Sequence, residues 1–247
     1  MGNAVGYGTF RDMGTAPLSF NGLLFQPTLG LHLIYPKRME FSFVSRSSLG
    51  IFEDAVAPAL NFGSFDINFY SRLMFMKAVK GKAASSQAKA KVLQFYWGAA
   101  LASFLDVTVN TEYENSATGV SYFIGPEAVG RVDIMPRWKA PLMFHAELGL
   151  LPVAAVMRPG YSYIDNYTAT HPVLDALFSD FDVSLKGFAG ADTDIGIDLV
   201  TGPASRVSLC YLWSFHTSGN SGYHRFDHAT HILAIDLLVR LHTADKR

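Results

Sequence analysis

The chain has 247 residues, of which 49% are hydrophobic, 13% aromatic and 17% charged, with 20 basic against 21 acidic side chains. Abundant aromatic residues at low net charge exclude intrinsic disorder, and the even balance without a Lys/Arg run offers nucleic acid no electrostatic footprint. The single cysteine, Cys210, excludes an intrachain disulfide and any Cys-rich metal site.

No Pro/Gly/Ser-rich linker divides the sequence, so residues 1–247 read as a single domain. A helical membrane protein needs apolar runs of about 18 residues or more. The longest quiet stretch, Phe95 to Leu105, is too short. The opening Met-Gly-Asn-Ala-Val-Gly-Tyr lacks the basic and apolar regions of a secretory signal. The expectation is either a protein that is not exported or a mature product behind an initiator Met.

Period-2 alternation recurs along the whole chain, in segments longer than the usual strand. A weak first strand lies in Asn3 to Arg11, where Val5 and Tyr7 alternate with Gly6 and Gly8. Leu23 to Tyr35 opposes Leu23, Phe25, Leu29, Leu31 and Leu33 to Gln26, Thr28, Gly30 and His32. Met39 to Phe52 opposes Phe41, Phe43, Leu49 and Ile51 to Glu40, Ser42, Arg46 and Ser48, and Ser64 to Met76 opposes Phe65, Ile67, Phe69, Leu73 and Phe75 to Asp66, Asn68, Tyr70 and Arg72. Val92 to Asn110 sets Leu93, Phe95, Trp97, Leu101, Leu105, Val107 and Val109 against Gln94, Tyr96, Gly98, Asp106 and Thr108. In Val120 to Ile134 the polar face holds Ser121, Glu127, Arg131 and Asp133. In Leu142 to Val156 it holds His145, Glu147 and Gly149, against Leu142, Phe144, Leu148, Leu150 and Val156. Asp180 to Val200 carries Asp180, Asp182, Asp192, Asp194 and Asp198 on its even face. Ser205 to Ser218 and Ala229 to Leu241 complete a set of about ten strands, with eight to twelve inside the range of the pattern.

Links of two lengths take turns. Short ones fall at Pro36 to Arg38, Arg137 to Ala140 and Thr201 to Ala204, and longer ones at Glu53 to Gly63, Thr111 to Gly119, Met157 to Ser179 and Gly219 to Asp227. The short links share one end of the strands and the long ones the other, Val79 to Ala90 excepted. An all-β, antiparallel, up-and-down transmembrane β-barrel has this signature. A lipocalin-type barrel would turn its charges to water and its apolar face to a ligand. Here one face is Leu, Ile, Val, Phe and Trp with almost no charge, as lipid requires, and the other mixes Asp, Glu, Arg and Lys with Gly, Ala and Ser, as a polar, side-chain-filled lumen requires. Closure satisfies every backbone amide and leaves no edge.

In strand pattern and link asymmetry the chain resembles the small outer-membrane β-barrels of Gram-negative bacteria, at the level of the class. The resemblance implies a location in the outer membrane, contact with its lipids including lipopolysaccharide, and no cofactor. The terminal Thr243-Ala244-Asp245-Lys246-Arg247 departs from the aromatic with which many such barrels end.

Two groups of residues are candidates for function. His216 and Ser218 stand two apart on a strand, with Asp227 and His228 across the hairpin, so a nucleophile, a base and an orienting group lie close in sequence. The pair resembles the His-x-Ser element of outer-membrane lipid A deacylases and phospholipases, which implies an esterase. Parity, however, points both side chains into the lumen, where a polar hairpin stem is the simpler expectation. Imidazoles bind Zn²⁺ readily, so His224, His228 and His231 offer a metal site, but His228 and His231 differ by an odd number and face opposite sides, and interfacial histidines are the expectation. On the lipid face, Gly187, Ala189 and Ala191 stand where bulky residues are expected, and small side chains admit close approach by another membrane protein. The loop carrying Tyr161, Tyr163 and Tyr167 adds a second partner surface. These features favour a non-enzymatic structural or accessory subunit of an outer-membrane complex, with a lipid esterase as the alternative and a narrow channel as the third reading.

Overall fold

The computed structural model describes residues 1–12, 19–35, 39–54, 63–79, 92–110, 118–136, 141–159, 181–184, 188–202, 205–219 and 226–239. The regular elements among them are all strands: β1 (Gly2–Asp12), β2 (Ser19–Tyr35), β3 (Met39–Asp54), β4 (Gly63–Ala78), β5 (Val92–Asn110), β6 (Thr118–Met135), β7 (Leu142–Leu151), β8 (Ala155–Pro159), β9 (Phe181–Ser184), β10 (Ala189–Gly202), β11 (Ser205–Ser218) and β12 (Phe226–Val239).

Each strand pairs antiparallel with its neighbours, and the ladder closes through β1, which lies between β12 and β2. The weak first strand of the sequence is thus the one that seals the barrel. β8 continues the path of β7 along β6, and β9 with β10 flanks β8 with β7, so the twelve segments fill ten positions. Among the described residues the ladder runs unbroken around the ten positions, β9 pairing on its β8 side, and such closure is the condition for a sheet to cross lipid.

The alternation read from the sequence sorts the two faces. Leu23, Trp97 and Ile235 point outward and are 74%, 64% and 61% exposed, while Asp66, Asp198 and Glu127 point inward and are at most 2% exposed. A large apolar exterior over a charged, buried interior inverts the order of a water-soluble domain and fits a lipid solvent.

One expectation is corrected. Val156 was expected on the lipid face with Leu148 and Leu150, yet it is buried in the lumen with Leu151 and Ala154. Pro152 has no N–H for the ladder, and the three residues 152–154 separate β7 from β8, shifting the parity beyond them. Gly125 on the facing strand accommodates the detour, since a Cβ there would lie 2.9 Å from Ala154 Cα.

The lumen is packed in layers. At the long-link end, Phe10, Phe20 and Phe52 form one cluster, with Phe10 and Phe20 stacked at 5.0 Å between centroids, and Phe104, Phe123, Phe188 and Phe226 belong to another. Toward the short-link end Met74, Met76, Ala100 and Val129 pack together. Ion pairs and hydrogen bonds fill the space between. Polar filling is the expectation from strand parity, whereas the aromatic plug is an addition, because Phe10, Phe20 and Phe52 share lumen parity with small and polar residues.

Candidate functional site

At the long-link end of the lumen, β11 and β12 bring two histidines face to face. Their register sets His216 opposite His228, Thr217 opposite Asp227 and Ser218 opposite Phe226. His216, Ser218 and His228 therefore share the inward face and are buried, at 1%, 4% and 1% exposure. Asp227 takes the other parity and accepts a hydrogen bond from Thr217 Oγ1 at 2.6 Å. The acid beside His216 is Asp192 on β10, whose Oδ2 lies 3.5 Å from His216 Nε2. Asp66 on β4 stands in the same relation to His228, at 3.8 Å.

The two imidazoles sit among phenyl rings. Phe123 lies 4.8 Å and Phe104 5.4 Å from the His216 ring, and Phe104 lies 5.1 Å from that of His228. Neither ring nitrogen of His216 makes a hydrogen bond, so the base is not linked to Ser218 Oγ. A serine nucleophile needs that link and a path for its substrate. Acyl chains lie outside the wall, and the pair lies inside it.

Below the histidines runs a polar relay. Gln26 Nε2 donates to Ser48 Oγ at 2.9 Å, Ser48 Oγ donates to Asn68 Oδ1 at 2.5 Å, and Asn68 Nδ2 donates to Asp66 Oδ2 at 3.2 Å. Arg72 holds Glu127 through two bonds, Nε at 2.6 Å and Nη2 at 2.9 Å, and also pairs with Glu147. His145 bridges Asp194 at 3.1 Å and Asp198 at 3.4 Å, and Asp198 further takes Arg206 at 3.1 Å and the hydroxyl of Ser208. Nearer the short links Arg131 clamps Asp133 at 2.7 and 3.1 Å. Charges that would be costly alone are paired and hydrogen-bonded, as burial demands. The void next to Tyr70, Asp192, His216 and His228 measures about 20 Å³, room for about one water.

On the outside, Ala189 is exposed and Ala191 half-buried on β10. The register places Ala191 between Leu150 of β7 and Phe215 of β11, so small side chains lie between larger ones. His231 also faces outward, where its Nδ1 is 2.6 Å from the Tyr211 hydroxyl. Gly187, Tyr161, Tyr163, Tyr167 and His224 lie outside the described residues.

No family model matches the chain, and no curated protein does. Among solved structures it is similar to the transport unit of the autotransporter AIDA-I from Escherichia coli, at 10% identity and a TM-score of 0.42 over 97% of this chain and 90% of the other. It is also similar to the translocator domain of the autotransporter NalP from Neisseria meningitidis, at 6% identity and a TM-score of 0.35 over 96% and 86%. An outer membrane channel from Pseudomonas putida F1 aligns at 9% identity and a TM-score of 0.29 over 94% of both chains. These superpositions are loose. The closed ten-position ladder and the apolar exterior of the chain itself define it as a transmembrane β-barrel.

Proposed function

We propose that this barrel is a non-enzymatic structural or accessory subunit of an outer-membrane protein complex, embedded in lipid that includes lipopolysaccharide. The observation that carries the reading is the filled lumen. Phenyl rings pack its long-link end, Arg72, His145 and Arg131 tie its walls together, and the void beside His216 admits about one water. Among the described residues, a lumen packed in this way offers a solute no wide passage and a substrate no void of the usual few hundred cubic ångströms, while a groove of about 670 Å³ lies on the outer wall beside Leu29, Ile235 and Leu237. Its remaining means of action are its outer wall and its loops. The seam of Gly187, Ala189 and Ala191 is the place on the wall where another membrane protein could approach the backbone, and Tyr161, Tyr163 and Tyr167 supply a loop surface.

Mild detergent extraction of the native membrane, followed by native mass measurement and gel migration before and after boiling, tests this. A reproducible assembly larger than the chain, weakened by Ala189→Leu together with Ala191→Leu, is the expected result. A lone heat-modifiable monomer would overturn the reading. Loss of acyl-chain release from outer membrane on both Ser218→Ala and His216→Ala would replace it with the esterase, and discrete conductance steps in a planar bilayer would replace it with the channel.

A further inference from the structure

The long-link end of the lumen gathers two buried carboxylates and a buried imidazole from three strands. Asp66 on β4, Asp106 on β5 and His228 on β12 are 0%, 1% and 1% exposed, and each offers one ligand atom within 4.8 Å of the other two. Both ring nitrogens of His228 and Oδ1 of Asp66 lack a hydrogen bond. The ladder puts Thr108 directly opposite Asp66 and Ser121 directly opposite Asp106, and the hydroxyls of Thr108 and Ser121 are buried without a partner as well. Buried polar atoms are nearly always satisfied, so a concentration of orphans around two carboxylates and an imidazole points to a missing positive centre.

We propose that Asp66, Asp106 and His228 bind one divalent first-row transition-metal ion of the Zn²⁺ type, with the Thr108 and Ser121 hydroxyls beside it. One imidazole nitrogen and two carboxylate oxygens form a three-ligand set that Zn²⁺ accepts, with water or a hydroxyl in the fourth position. Ca²⁺ requires six to eight oxygens and has no use for the imidazole. In a tetrahedral Zn²⁺ site with bonds of about 2.0–2.2 Å the ligand atoms lie about 3.3–3.6 Å apart, so an edge near the 4.8 Å bound closes by about 1 Å on binding. His228 Nε2 and Asp66 Oδ2, at 3.8 Å, need to close by only a few tenths of an ångström.

The second His/Asp/Cys group of the lumen supplies the contrast. His145, Asp194 and Cys210 are also close enough to share an ion, but both His145 nitrogens already face carboxylates, at 3.1 and 3.4 Å. His145 thus has a carboxylate at each ring nitrogen, one of them within hydrogen-bond distance, whereas both ring nitrogens of His228 lack a hydrogen bond and its one ion-pair contact, with Asp66, is 3.8 Å long. The strand order separates β12 from β4 by β1, β2 and β3, so a metal at His228 ties distant parts of the wall together across the lumen. The proposed ion is thus a staple at the mouth.

The full chain is refolded into detergent with Zn²⁺ or with EDTA, its folding is checked by heat-modifiable migration, and its metal content is measured after free ions are removed. The expected result is one Zn²⁺ per folded chain and a higher unfolding temperature with the ion than without it. His228→Gln and Asp66→Asn each lower Zn²⁺ affinity by more than the roughly 10–100-fold that loss of an outer-shell partner costs, and Cys210→Ser retains the ion. A folded wild-type chain that takes up no stoichiometric Zn²⁺, or that takes Ca²⁺ in preference to Zn²⁺ in competition, overturns the proposal. Loss of the ion in Cys210→Ser with its retention in His228→Gln overturns it too. Should both ligand variants fail to fold, the wild-type metal content and the Ca²⁺/Zn²⁺ competition still decide.

Discussion

Arg72 on β4 and Glu127 on β6 grip each other across an intervening strand, through two parallel hydrogen bonds of 2.6 and 2.9 Å. The contact exists because β5 places Ala102 opposite Arg72 and Ala100 opposite Glu127, clearing a lane over its inner face. Glu147 on β7 pairs with the same guanidinium, so one cation serves two carboxylates, one of them fully buried. Removing it leaves two like charges with little water. Arg72→Met is expected to destabilise the barrel by about 3–5 kcal/mol, read as a lower temperature of the heat-modifiable transition. Migration at the wild-type temperature would show that the triad carries no such weight.

The same triad dictates a glycine. A Cβ at Gly149 on β7 would lie 2.6 Å from Glu127 Cδ and 3.0 Å from Arg72 Nη2, inside the ion pair. Gly149→Ala must therefore displace a buried, doubly bonded carboxylate, at a cost of about 1–3 kcal/mol. Gly130, one strand away and facing outward, has nothing within 4 Å of such a Cβ. Gly130→Ala is expected to leave the transition temperature unchanged, and a matched loss in the two variants would point to backbone conformation as the cause.

The strands were legible in the sequence because lipid on one side and a packed lumen on the other force period-2 alternation on every wall segment. Leu142 to Leu151 illustrates this, and so does the point at which the pattern fails, since Pro152 breaks the ladder and Val156 turns inward. The site was less legible. Parity places His216, His228, Asp66 and Asp106 in the lumen, but their meeting depends on barrel closure and on the register of β4, β5 and β12, which single strands do not encode. Asp192 rather than Asp227 flanks His216 for the same reason: hairpin proximity suggests Asp227, whereas its parity turns it to the other face. Phe123 and Phe104 pack against the histidines from strands far away in sequence.

The aromatic plug and the ionic belt fill different depths of the lumen, so each should block passage alone. Phe123 is 2% exposed and stacks on Phe104 at 5.0 Å. Phe123→Ala is expected to cost about 3–5 kcal/mol and still give no conductance steps in a planar bilayer, because the Arg72 and His145 pairs remain beneath it. Conductance from this single substitution would make the phenyl rings the sole barrier.

A more direct test of the membrane exterior compares two leucines on one strand. Leu93 and Leu101 of β5 have the same outward parity and the same 47% exposure, but Leu101 is the central residue of the strand and Leu93 lies one residue from its short-link end. In a barrel surrounded by water, arginine at either position would be tolerated alike. In lipid the cost follows depth, so Leu101→Arg should lose about 2–4 kcal/mol of folding free energy in phospholipid vesicles and Leu93→Arg about 0–1 kcal/mol. Equilibrium unfolding in denaturant from vesicles of uniform thickness measures both. Equal losses would contradict a bilayer centred on Leu101, whereas the expected difference would fix the depth of the wall from a single pair of variants.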